Sequence, residues 1–156
     1  MSRPVWLLVV IAVAGLLVAP GSLGQATAAC APTLQDAFGP FGRGIPPMRA
    51  KIGTGHVLTG VVLSALDCHP LAGAQVQFWQ SNKNGRYTSA GSATVVTDRT
   101  GRFRFEGPAP TSYEGREGHI HIRVIAHGYK PLLTRYVPPR GSRHGTVRLV
   151  LEPEQL

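Results

Sequence analysis

From residue 56 onward the chain alternates apolar and polar residues in short runs closed by turn residues, and that period of two leaves few folds open. In RFRFE (102–106) Phe103 and Phe105 fall on one side and Arg102 and Arg104 on the other, because successive side chains of a strand point to opposite faces. HVLTGVVLS (56–64), AQVQFWQ (74–80), ATVVTD (93–98), HIHIRVIA (119–126), LLTRYV (132–137) and TVRLVLE (146–152) complete a set of seven such runs, with DRTG (98–101) as a turn between two of them. Seven short strands in about 100 residues, with no helical period among them, predict an all-β fold, an antiparallel β-sandwich over residues 56–156.

Two segments precede that domain. Residues 1–29 place Arg3 before the apolar run VWLLVVIAVAGLLVA, which ends at Pro20 and is followed by the small residues ATAAC. The run is shorter than the roughly 20 residues a membrane-spanning helix needs, so the segment reads as a secretory signal and predicts export to the periplasm, the medium or the cell surface. Residues 30–55 are rich in glycine and proline (FGPFGRGIPP) without an apolar period, and predict an extended arm. The two cysteines of an exported chain favour a Cys30–Cys68 disulfide. Cleavage after Ala29 would instead leave Cys30 first in the chain, where it could carry a lipid anchor, and the sequence leaves both fates open. The formal charge is +8, but the arginines are scattered along the chain. With export, that scatter argues against nucleic acid and for attraction of small anions.

The strand period in HIHIRV sends His119, His121 and Arg123 to one face and Ile120, Ile122 and Val124 to the core. The two histidines are then about 7 Å apart along the strand, close enough for both imidazoles to reach one metal ion. The plain alternative is a pair of solvated histidines on a polar face. A two-histidine, one-carboxylate iron site is poorly served, because the only acids after His121 are Glu152 and Glu154. A three-histidine zinc site could draw on His56, His69, His127 or His144, and no spacing favours any of them. Tyrosine is the remaining oxygen ligand, from Tyr87, Tyr113, Tyr129 or Tyr136. A phenol of pKa about 10 loses its proton only to a strong Lewis acid, so a phenolate ligand implies a hard trivalent ion such as Fe(III).

WQSNKNGRY (79–87), TDRTGRFRFEGPAPTSY (97–113) and REGHIHIRV (116–124), in that order, resemble the intradiol ring-cleavage dioxygenases of the protocatechuate and catechol class. The likeness runs from about Gly60 to Leu151. It implies a non-haem Fe(III) held by Tyr87, Tyr113, His119 and His121 with a solvent hydroxide, Tyr87 and His119 equatorial, Tyr113 and His121 axial. It further implies a catechol-type substrate that displaces Tyr113, which then serves as a local base. By the same likeness, O2 would open the ring between its two hydroxyls to a muconate-type diacid. Arg116 matches the active-site arginine of the family, whose fixed charge stabilises the electron-rich ring.

Three features depart from that pattern. EGREG, between Tyr113 and His119, is short, as is the segment between Tyr87 and Thr97, which implies an open site. Arg135 stands where the family carries glutamine; it would either favour an anionic catechol or point outward. The arm APTLQDAFGPFGRGIPP replaces a helical dimerisation segment, so a family-like dimer is not expected. Two other classes are compatible with parts of the chain. A metal-free binding module of the transthyretin or carboxypeptidase-regulatory type would suit GVVLSALDCHPLAGAQV and VVTDRTGRFRFEG, yet has no need of Tyr87, Tyr113, His119 and His121 together. A copper or zinc site on an immunoglobulin-like sandwich would use the H-x-H but lacks an evident bridging histidine and aspartate.

Overall fold

The computed structural model describes residues 30–36 and 44–154, so the signal segment read at 1–29 lies outside the described residues. Seven strands follow in order: β1 (Gly55–Ser64), β2 (Gln75–Ser81), β3 (Tyr87–Val96), β4 (Arg102–Pro108), β5 (Ile120–Ile125), β6 (Leu132–Tyr136) and β7 (His144–Leu151). They form a three-stranded sheet in the order β4-β1-β7 and a four-stranded sheet in the order β3-β2-β5-β6. The expected sandwich is present, with one difference from a wholly antiparallel fold: β1 and β7 run parallel. These two strands are the first and last of the domain, so the intervening chain supplies the long crossover that a parallel pair requires.

The period of two explains the core. Phe103 and Phe105 are buried while Arg102 and Arg104 are exposed. Phe105 stacks on Phe78 of the opposite sheet, with ring centroids 4.3 Å apart, and Leu58, Val62, Val76, Ile122, Val124 and Leu149 pack around them. The turn before β4 is locally determined. Asp98 Oδ1 accepts hydrogen bonds from the backbone nitrogens of Thr100 and Arg102 at 2.8 and 2.9 Å, an Asx arrangement that aspartate favours. Gly101 has φ 70°, and a Cβ there would lie 2.7 Å from the Val62 carbonyl oxygen, so only glycine fits.

The arm is bound rather than loose. Thr94 donates its backbone N–H to the Pro47 carbonyl, the Arg49 N–H donates to Thr94, and the Ile52 N–H donates to Glu106. This segment therefore closes the edge where β3 and β4 meet. At the opposite edge, the Thr33 N–H donates to Val150 of β7 and the Asp36 N–H to Leu133 of β6. Residues 30–36 thus form a strap across the other open side of the sandwich, anchored by a Cys30–Cys68 disulfide with Cα atoms 5.4 Å apart. Covering both edges removes the unpaired strand backbone that would template aggregation.

Candidate active site

The outer face of the four-stranded sheet carries the polar half of each alternating strand. Cross-strand register aligns Ser92, Trp79, His121 and Arg135 in one row. Thr94, Gln77, Arg123 and Leu133 form the next. The alternative of two solvated histidines on a polar face does not hold, because His119 and His121 are 4% and 1% exposed and Gln77 is fully buried. Arg123 Nε donates to Gln77 Oε1 at 2.6 Å and its guanidinium lies over the Trp79 ring. Arg123 also donates to the Gly44 carbonyl, so the arm helps to cover this face.

All four proposed ligands meet there. Tyr87 Oη is 2.8 Å from Tyr113 Oη and 3.2 Å from His119 Nε2, and His119 Nε2 is 3.1 Å from His121 Nε2. Each arrives from a different local device. Tyr87 opens β3, six residues earlier than the run ATVVTD suggested, so the segment after it is strand and not a brief loop. Tyr113 stands at the start of a tight hairpin in which it exchanges backbone hydrogen bonds with Arg116. Glu114 and Gly115 occupy the turn's centre at φ 48° and 75°, the left-handed pair that a two-residue hairpin favours. His119 immediately precedes β5 and His121 lies on it.

Orientation is fixed by close neighbours. His119 Nδ1 is 2.7 Å from the Glu117 carbonyl and donates to it, which leaves the Nε2 lone pair facing the phenols. Gly85 lies against Tyr113: at φ 72° its added Cβ would be 2.7 Å from Tyr113 Cδ2. Arg116 is exposed at the rim, and its charge acts on both Tyr87 and His121. Burial pushes the Tyr87 phenol well above its ordinary range, with Tyr113 adding to the shift and Arg116 opposing it. Burial, then His119, pulls His121 down from 6.5 to about 4, with Asp36 opposing. Without metal, Tyr87 and His121 are thus both neutral near pH 7, His121 with an imidazole lone pair available and Tyr87 a phenol that ionises only for a strong Lewis acid.

The donor set fits one ion. Two ligand atoms each about 2 Å from a metal and at right angles are about 2.9 Å apart, and the successive donor separations of 2.8, 3.2 and 3.1 Å match that edge. Among the described residues no group of three or more His, Cys, Asp and Glu converges, so the three-histidine and bridged alternatives do not form there. His56, a candidate third histidine, is instead held by the Ser142 carbonyl and the Tyr136 ring.

Beside Tyr87 lies a cavity of about 340 Å³ lined by Ile45, Pro46, Pro47, Trp79, Thr88 and Ser89. Its arm residues carried no periodic signal, and neither did Asp36, whose carboxylate lies 2.9 Å from Arg135 Nε. Arg135 therefore shares the face of His121 and is ion-paired, which differs from both a lone active-site cation and an outward-pointing one.

A family model described as "Dioxygenase" matches residues 45–137, more than half of the chain. A catechol 1,2-dioxygenase of Candida albicans is 32% identical over 42% of this chain and 31% of its own length. A chlorocatechol 1,2-dioxygenase of Rhodococcus opacus is 29% identical over 42% of this chain and 37% of its own. The chain thus spans about a third of the length of the curated relatives it matches. Two solved structures share the fold. An intradiol ring-cleavage dioxygenase from Tetranychus urticae has a TM-score of 0.70 at 19% identity, covering 81% of this chain and 97% of its own. The dioxygenase domain of a carbohydrate-binding fusion protein from Streptomyces sp. SirexAA-E has a TM-score of 0.69 at 24% identity, covering 80% of this chain and all of its own. On the family match over more than half its length, supported by these relatives, the chain belongs to the intradiol ring-cleavage dioxygenase family.

Proposed function

We propose that this protein is an exported non-haem Fe(III) dioxygenase that cleaves a catechol-type ring between its hydroxyls with O2, giving a muconate-type diacid. The observation that carries the reading is the convergence of Tyr87, Tyr113, His119 and His121 through contacts of 2.8–3.2 Å. Those four side chains would hold the iron. Bound there, Fe(III) supplies the Lewis acidity that ionises a catechol and draws electron density from its ring, making the ring reactive toward O2.

The chain's own residues do the rest. Tyr87, held in the β3 ladder, is the fixed phenol. Tyr113, on a two-residue hairpin, is the phenol that would turn away, its Oη taking up a catechol proton. His119, locked by the Glu117 carbonyl, keeps its lone pair aimed inward. Arg116 at the rim offers fixed positive charge to the electron-rich ring. The cavity beside Tyr87, walled by Ile45, Pro46, Pro47 and Trp79, receives the ring and excludes water from one side.

Export is supported by the leader-like composition of residues 1–29 and by the Cys30–Cys68 disulfide, which suits an oxidising compartment. Since that bond engages the Cys30 sulfur, the reading carries no lipid on Cys30. The test is O2 uptake by the iron-loaded protein with catechol. Equal consumption of O2 and catechol with release of a colourless, ultraviolet-absorbing diacid is expected; a yellow semialdehyde, or no uptake at all, contradicts the reading.

A further inference from the structure

Asp36 and Arg135 stand beside the site without a role in holding metal. Arg135 pairs in register with His121 and so projects from the same face of the sheet. The Asp36 carboxylate meets it at 2.9 Å from Nε, with the aspartate side chain 15% exposed and the arginine 47%.

The carboxylate is placed by backbone, independently of the ion pair. The Asp36 N–H donates to the Leu133 carbonyl at 2.8 Å. The Leu133 N–H donates back to Gln35 Oε1 at 2.8 Å, and Gln35 Nε2 donates to Pro131. Upstream, Thr33 is tied to Val150 by hydrogen bonds in both directions, and Cys30 is bonded to Cys68. A strap fixed at both ends therefore delivers one negative charge to the one arginine in the His121 row.

Resting on the dioxygenase reading above, we propose that Asp36 is a specificity-determining residue: its carboxylate neutralises Arg135, so that the site takes uncharged catechols and forgoes the attraction a lone guanidinium would exert on a ring carboxylate. Removing the negative charge alone leaves Arg135 as an uncompensated cation. Removing the positive charge alone leaves a carboxylate that repels an acidic ring. Because the pair is partly solvated, both effects are modest and fade with salt.

The test is anaerobic binding of catechol and of 3,4-dihydroxybenzoate to the full-length, iron-loaded protein, followed through the visible spectrum. Asp36→Asn is expected to tighten 3,4-dihydroxybenzoate relative to catechol by about fivefold at low salt, and less at 0.5 M salt. Arg135→Gln is expected to shift the same ratio the other way, so either variant alone suffices if the other folds poorly. A merely structural role would weaken both ligands alike, and an unchanged ratio in both variants overturns the inference while leaving the dioxygenase reading intact. If the wild-type protein binds iron but neither ligand, the dioxygenase reading fails and the inference with it.

Discussion

Tyr113 and His121 concentrate the chemistry at the scale of single residues. Tyr113→Phe keeps the ring that packs against Gly85 but removes the oxygen that accepts a proton. Catechol-dependent O2 uptake should fall by about a hundredfold, the usual weight of one positioned acid–base group; unchanged uptake would mean that the leaving ligand is misassigned. His121 makes a separate prediction for the metal-free protein. Its folded value of about 4 lies below its ordinary 6.5, so between those pH values the unfolded chain binds a proton that the folded chain refuses. The contribution of His121 then falls as pH drops from about 6.5 toward 4 and levels off below, because the folded state also protonates this imidazole there. Urea unfolding at pH 7, 5.5 and 4 should show that loss, and His121→Gln should flatten it. The alternation of HIHIRV put both histidines on one face of a strand, and the ordered motifs around them, not that spacing alone, marked them as candidate ligands. Their burial was not legible, since Tyr87 and Tyr113, whose rings pack against them, lie on separate segments of the chain.

Strands were the most legible elements, because a period of two with one buried face is written directly in the side chains. β3 was the exception. Its first half, TSAGS (88–92), is polar and small and carries no alternation, yet it is strand because it borders β2 in the ladder at Ser92 and Tyr87. The hairpin loops that aim the ligands are a second level. Gly85 has φ 72° and abuts Tyr113, whereas Gly73 has a similar φ of 75° with open space around it. Alanine at either position should cost about 1–2 kcal/mol through the left-handed backbone. Only Gly85→Ala should also lower O2 uptake, by displacing Tyr113. Equal activity in the two variants, measured at matched folded fractions, would show that Gly85 does not position the phenol.

At the largest scale the described residues form a sandwich whose two open sides are closed by residues 30–36 and 44–52, and that closure could not be read from composition. FGPFGRGIPP shows only the absence of helix, because backbone pairing along an edge asks nothing distinctive of side chains. The strap and its disulfide join positions separated by 38 residues, and loop entropy of that size is worth about 4 kcal/mol. Cys68→Ser should therefore lower the denaturant midpoint substantially under oxidising conditions, whereas reductant should destabilise the wild type and leave the variant unchanged. The central claim concerns what the closed scaffold holds. The most direct measurement is the visible spectrum of the purified protein after iron loading. Two phenolate ligands on Fe(III) predict a wine-red charge-transfer band that weakens in Tyr87→Phe and in Tyr113→Phe. A colourless protein that takes up zinc in preference to iron would contradict the account.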